Sequence, residues 1–170
     1  MRKYSIPLLL ILFSLSVIAQ DFQIPVGYQF KVKEDYAPYE KDIIAAANWL
    51  MNVPPDQQSE KRKEVSTFVF RWIDGSPTVN VSIDENIVNF DKANPGMLIL
   101  YMAQCAKYVL ENNYSKDVLH KNKAALHAMV VVYKSGKGIE KDKKMEKMAK
   151  ADDDGKLEQW IKSNLAEMKN

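Results

Sequence analysis

Two histidines, one cysteine and a few acidic clusters are the side chains in this 170-residue chain whose types and spacing bear on chemistry. His120 and His127 lie seven apart on a stretch of helical periodicity, which puts them on one side but about 10 Å apart at a rise of about 1.5 Å per residue. One metal ion does not bridge that distance within a straight helix. Zinc would need ligands from elsewhere, and the chain has neither an H-E-x-x-H pattern nor a second cysteine. Cys105 falls mid-helix among apolar neighbours, the setting of a buried structural thiol rather than an activated nucleophile.

Asp84, Glu85 and Asp91 cluster in an irregular stretch and are the residues to consider for a pair of carboxylates doing acid and base work, as in glycan hydrolysis. Loop acids more often cap helices or face solvent. Asp152, Asp154 and Gly155 match the third, fifth and sixth positions of a calcium loop, but the first and twelfth would be Lys150 and Ile161. Helix capping is the preferred reading of these aspartates. Gly136, Lys137 and Gly138 resemble a phosphate loop only superficially, and no G-x-S-x-G elbow is present. The expected set of catalytic, cofactor-binding and metal residues is therefore empty.

Lysines at 134, 137, 141, 143, 144, 147 and 150 could face an anionic partner, yet Glu140, Asp142 and Glu146 are interleaved with them. A solvated helix with internal ion pairs is expected there. Tyr28, Phe30, Trp49 and Trp72 could line an aromatic groove, although the helical spacing of both tryptophans assigns them to the core. Asn80 and Asn113 each open an N-x-S sequence, which matters only in a source that glycosylates such sites.

The elements that must position these residues are mainly helical. From Gln23 to Lys33 the alternation of Tyr28, Phe30 and Val32 reads as a strand or as an arm laid across helices. Pro38 suits the opening of a helix whose Tyr39, Ile43, Ala46, Ala47, Leu50 and Val53 share a face, ended by Pro54 and Pro55. A second helix runs from near Asp56 or Ser59 to Gly75. Val79, Val81 and Ile83 then alternate with polar residues and are placed to pair with the segment around Phe30.

Asn94 and Pro95 are expected to open a central helix carrying Leu98, Tyr101, Met102, Cys105 and Val109. Ser115 is expected to cap the next, which Gly136 closes. A charge-rich segment follows, and Asp152 to Asp154 lead into a last helix with Leu157, Trp160, Ile161, Leu165 and Met168 along one stripe. The expected fold class is all-α, a compact bundle or irregular array of five to six helices with at most a short two-stranded extended patch. The helix pairs opening near Pro38 and Pro95 are too far apart for a tetratricopeptide period.

Residues 1-19 have the parts of a cleavable secretory signal: Arg2 and Lys3, an apolar run from Ile6 to Ile18, and Ala19 at the cleavage point. The run is shorter than the roughly 20 residues that span a membrane, so no stable membrane span is expected after cleavage. Removing it takes two of the 24 basic residues and none of the 22 acidic ones, leaving 22 of each. A neutral mature chain, 20-170, is expected to be a single helical domain with no nucleic-acid partner. With one cysteine it holds no internal disulfide, a usage that leans toward a bacterial source.

Asn48, Trp49 and Leu50 ahead of Pro54, Trp72 ahead of Gly75, Ser76, Pro77 and Thr78, and the run from Gly138 to Asp142 together resemble small exported proteins of Bacteroidetes. The resemblance covers most of the mature chain. It implies a periplasmic or secreted setting and supplies no active site. The expected function is that of a noncatalytic binding or interaction protein, with a protein or glycan partner in the cell envelope and no cofactor. The alternatives are a small hydrolase of envelope glycans and an assembly accessory with an exposed apolar face.

Overall fold

Prolines, glycines and capping aspartates divide the chain into helices in the computed structural model, which describes residues 21–166. Among these are α1 (Glu40–Asn52), α2 (Ser59–Gly75), α3 (Glu85–Ala93), α4 (Met97–Glu111), α5 (Val118–Ser135), α6 (Lys143–Asp153) and α7 (Leu157–Asn164). Two 3₁₀ turns, Lys33–Asp35 and Ala37–Tyr39, lead into α1, the second holding Pro38. Asp84, Asp117 and Asp142 are the N-caps of α3, α5 and α6, their carboxylates accepting main-chain N–H groups that the first helical turn leaves without partners.

α4 is the most apolar helix and lies at the centre, packed against α1, α2, α3 and α5, while α5 packs also against α6 and α7. Ala46 and Ala47 on α1 and Ala103 and Ala106 on α4 are fully buried, small residues of the kind that allow two helices to lie close. Along that contact Gln104 Nε2 donates to the Ala47 carbonyl at 2.8 Å, and Lys107 Nζ donates to Asn48 Oδ1 at 2.6 Å. Buried side chains from every α-helix join one connected core.

The segment from Asp21 to Tyr36 is an arm rather than a strand. Phe22, Tyr28 and Phe30 gather with Tyr39 around Phe68 of α2, at ring-centroid distances of 4.9 to 6.2 Å. Phe30 stacks on Tyr36, whose carbonyl accepts the Trp72 indole N–H at 3.0 Å. Gly75 ends α2 where a Cβ would overlap the Tyr36 hydroxyl. Gly138, at φ +64°, sits against Asp56, so that a Cβ there would come within 2.7 Å of the Asp56 main-chain nitrogen. That glycine seats the α5–α6 loop on the α1–α2 loop.

Several expectations are corrected. There are seven helices among the described residues, not five or six, because the stretch read as irregular contains α3. No strand is present among the described residues, so the Phe30 segment and Val79–Ile83 do not pair; ring packing on Phe68 holds the first of them. Asp117 rather than Ser115 caps α5, with Ser115 Oγ accepting the Asp117 N–H at 3.2 Å. Gly96 precedes α4, and Asn94 instead forms two hydrogen bonds to the main chain of Glu140, at 2.7 and 3.1 Å. Asp152 and Asp153 end α6 instead of opening α7. The proposed signal segment and Met168 lie outside the described residues.

Candidate functional site

The chemical candidates are largely occupied by structural work. Asp84 accepts the Asn86 N–H at 2.8 Å with one oxygen and the Ala166 N–H at 2.9 Å with the other. Asp91 accepts the N–H groups of Gly96 and Leu98 at 2.9 and 3.0 Å, fixing the α3–α4 turn, and Glu85 is exposed on α3. Asp84 and Asp91 thus brace a helix start and a turn rather than converge with Glu85 on a cleft. His120 pairs with Asp117 at 2.8 Å and His127 with Asp152 at 2.9 Å, each on the surface. The His120 N–H and ring together hold the Asp117 carboxyl below the usual carboxylate range. No group of three or more His, Cys, Asp or Glu side chains among the described residues converges to hold a metal. Cys105 is buried within α4.

Nor do the aromatic residues form an open platform. Trp72 is buried, and Trp49 lies beneath Lys61 and Arg62, whose charged groups stand 5.4 and 5.5 Å from its ring. A cavity of about 640 Å³ beside Trp49 is lined by polar Asp21, Gln23, Lys41, Asp42, Asn48 and Asn52 and by apolar Phe22, Ile44 and Ala45. Among the lysines, Lys134 pairs with Asp153 at 2.5 Å, while Asp142 is engaged as the cap of α6. The expected ion pairs from Glu140, Asp142 and Glu146 are not formed among the described residues.

The stretch between α2 and α3 has a different character. Ser76 Oγ accepts the N–H groups of Thr78 and Val79 at 3.3 and 3.2 Å, turning the chain off the end of α2. Val79 is then buried, and residues 79–84 run without helix, turn or bend. Lys121 Nζ of α5 donates to the Asn80 carbonyl at 3.1 Å. The Tyr101 hydroxyl of α4 reaches the Ser82 carbonyl at 3.3 Å and shares its single proton with Asn122 Oδ1. Core residues thus hold this segment at two carbonyls, two residues apart.

A cavity lies on each side of it. One, of about 610 Å³, is lined by apolar Phe70 and Ile73 of α2, Met102 of α4, Pro77, Val79, Val81 and Ile83 and by polar Asp74, Ser76, Thr78 and Asn80, so that polar and apolar surface are mixed in it. The other, of about 500 Å³, sets apolar Pro77, Val109 and Val118 among Thr78, Asn80, Ser82, Tyr114, Ser115, Lys116 and Lys121. Phe70 and Ile83 are each 50% exposed although large and apolar. Helical periodicity explains Phe68 and Trp72 but not Phe70, which is off the buried face, and an apolar residue off-pattern was the available sequence signal for this groove. No helix among the described residues is long and apolar enough to cross a membrane. Compared with protein-family models, curated proteins and solved structures, the chain matches none of them.

Proposed function

We propose that this chain is a noncatalytic binding protein of the bacterial envelope. It is exported by the segment 1-19, resides in the periplasm or outside the cell, and engages a protein partner through the groove between α2 and residues 79–83. The observation that carries the reading is the pair Phe70 and Ile83, each large, apolar and half exposed, lining one cavity together with polar Asp74, Ser76, Thr78 and Asn80. Large exposed apolar side chains set among polar ones are a usual mark of a protein-recognition patch. Export rests on Arg2, Lys3, the apolar run and Ala19, and the resemblance to exported proteins of Bacteroidetes agrees with it.

A glycan hydrolase is less well supported, because Asp84 and Asp91 already accept two main-chain N–H groups each. The assembly-accessory reading shares the same groove and differs only in the size of the partner. The test is co-purification from envelope extracts with the tagged chain and with Ile83→Asp. A partner retained by the first and lost by the second, with the helical spectrum unchanged, is the expected result. Hydrolysis of envelope glycan that disappears in Asp84→Asn would overturn it.

A further inference from the structure

Lys121 and Tyr101 reach the carbonyls of Asn80 and Ser82, and in an extended chain the main-chain groups of successive residues point to opposite edges. Val81, between them, therefore turns its N–H and C=O away from α4 and α5. Among the described residues no hydrogen bond engages the N–H groups of Val81 and Ile83 or the carbonyls of Val79 and Val81. Val79, Val81 and Ile83 line the cavity that Phe70 shares, Ser82 lines the other, and Asn80 reaches both. The segment is an anchored length of main chain free of helix, turn and bend, with one edge open to pairing and the apolar side chains of Phe70 and Met102 beside it.

We propose that residues 79–83 are a docking edge to which an extended peptide segment of the partner protein adds as a β-strand, setting an apolar side chain between Phe70 and Ile83. This rests on the groove-binding reading and specifies the form of the partner. Two features select an extended polypeptide over a glycan. The open groups repeat at the spacing of a strand edge, where main-chain bonds supply affinity and alternate side-chain pockets supply selectivity. Beside that edge Phe70, Val81, Ile83 and Met102 offer apolar contacts within a cavity of mixed polarity. Isolation makes the edge competent, since no strand among the described residues covers it.

The probe is a soluble synthetic peptide of alternating threonine and valine with lysine at each end, compared with the same peptide N-methylated at every valine. The readout is amide hydrogen exchange of Val81 and Ile83 by NMR. At saturation the first peptide is expected to slow both amides at least tenfold, and the N-methylated one to leave them unchanged. Phe70→Ser should weaken peptide binding at least tenfold with the melting temperature retained, and Val81→Pro should abolish it with the helical spectrum retained. Unchanged exchange with saturating peptide would overturn strand addition. Equal binding of the N-methylated peptide would do the same while leaving the groove reading standing, whereas undiminished binding by Phe70→Ser would remove the groove itself. A dimer of the free chain in sedimentation that Val81→Pro dissociates would replace the peptide with a second copy and so overturn the proposal.

Discussion

Phe68 and Phe70 stand two residues apart on α2 and meet opposite fates, the first fully buried among four aromatic rings and the second half in water. Phe68→Ala removes the ring on which Phe22, Tyr28, Phe30 and Tyr39 converge, and opens a cavity that its neighbours close only in part. Truncations of this kind cost about 3–5 kcal/mol. For a chain of this size each kcal/mol is worth about 2–4 °C, so the melting temperature should fall by about 6–20 °C. Full burial of a phenylalanine side chain contributes about 1.5–3 kcal/mol, of which Phe70 realises roughly half. The better helix propensity of alanine returns about 0.5 kcal/mol, so Phe70→Ala should cost about 1 kcal/mol or less. Urea unfolding followed by the fluorescence of Trp49, Trp72 and Trp160 measures both. Equal losses, or a larger loss from Phe70→Ala, would refute the assignment of Phe70 to a surface that the fold does not need.

Further outcomes follow from other contacts. Gly138→Ala should lose about 1–3 kcal/mol in the same urea assay, because its added Cβ meets the Asp56 main chain at a positive φ. Asn94→Ala removes two part-buried hydrogen bonds to the Glu140 main chain and should cost about 1–3 kcal/mol, with faster amide exchange at Glu140. Asp142→Ala removes the acceptor for the Lys144 and Met145 N–H groups and should cost about 1 kcal/mol, seen as fraying of α6 in amide exchange. Asp117 and Glu158 are held below the usual carboxylate range, the first by hydrogen bonds from His120 and the second by its hydrogen bond from Lys123. A depressed carboxylate stabilises the fold above its ordinary pKa and loses that effect as pH falls through the lowered value. The melting temperature should therefore decline on acidification below the ordinary carboxylate range, and less steeply in Asp117→Asn; an identical slope in that variant would contradict this assignment.

Where burial and periodicity coincide, the fold was legible from residues alone. α1, α2, α4 and α5 carry long apolar stripes, and the breadth of apolar surface from Leu98 to Val109 correctly marked α4 as central. α3 escaped because it is nine residues long with only Ile87 and Phe90 buried, and the alternation of Val79, Val81 and Ile83 just ahead of it suggested extended chain throughout. Helix ends were misplaced wherever two capping residues compete within a few positions. Ser115 and Asp117 both accept main-chain N–H groups, and only packing decides which one begins the helix. The roles of Asn94 and Gly138 depend on contacts with chain 46 and 82 residues away, which no local pattern encodes. The groove belongs to this last kind: Val81 and Ile83 were visible as an alternating run, but their place opposite Phe70 depends on Tyr101 and Lys121 reaching across from α4 and α5.

The most direct test of the groove is site-specific photo-crosslinking in intact cells of the source organism. A photoreactive amino acid is placed at position 70 or, as control, at Val131, an exposed apolar residue of α5 outside the groove. A single protein adduct formed from position 70, absent from position 131 and lost when Ile83→Asp is added, is the result predicted. Adducts of equal yield from both positions, or none from position 70 while the chain is present and folded, would contradict it.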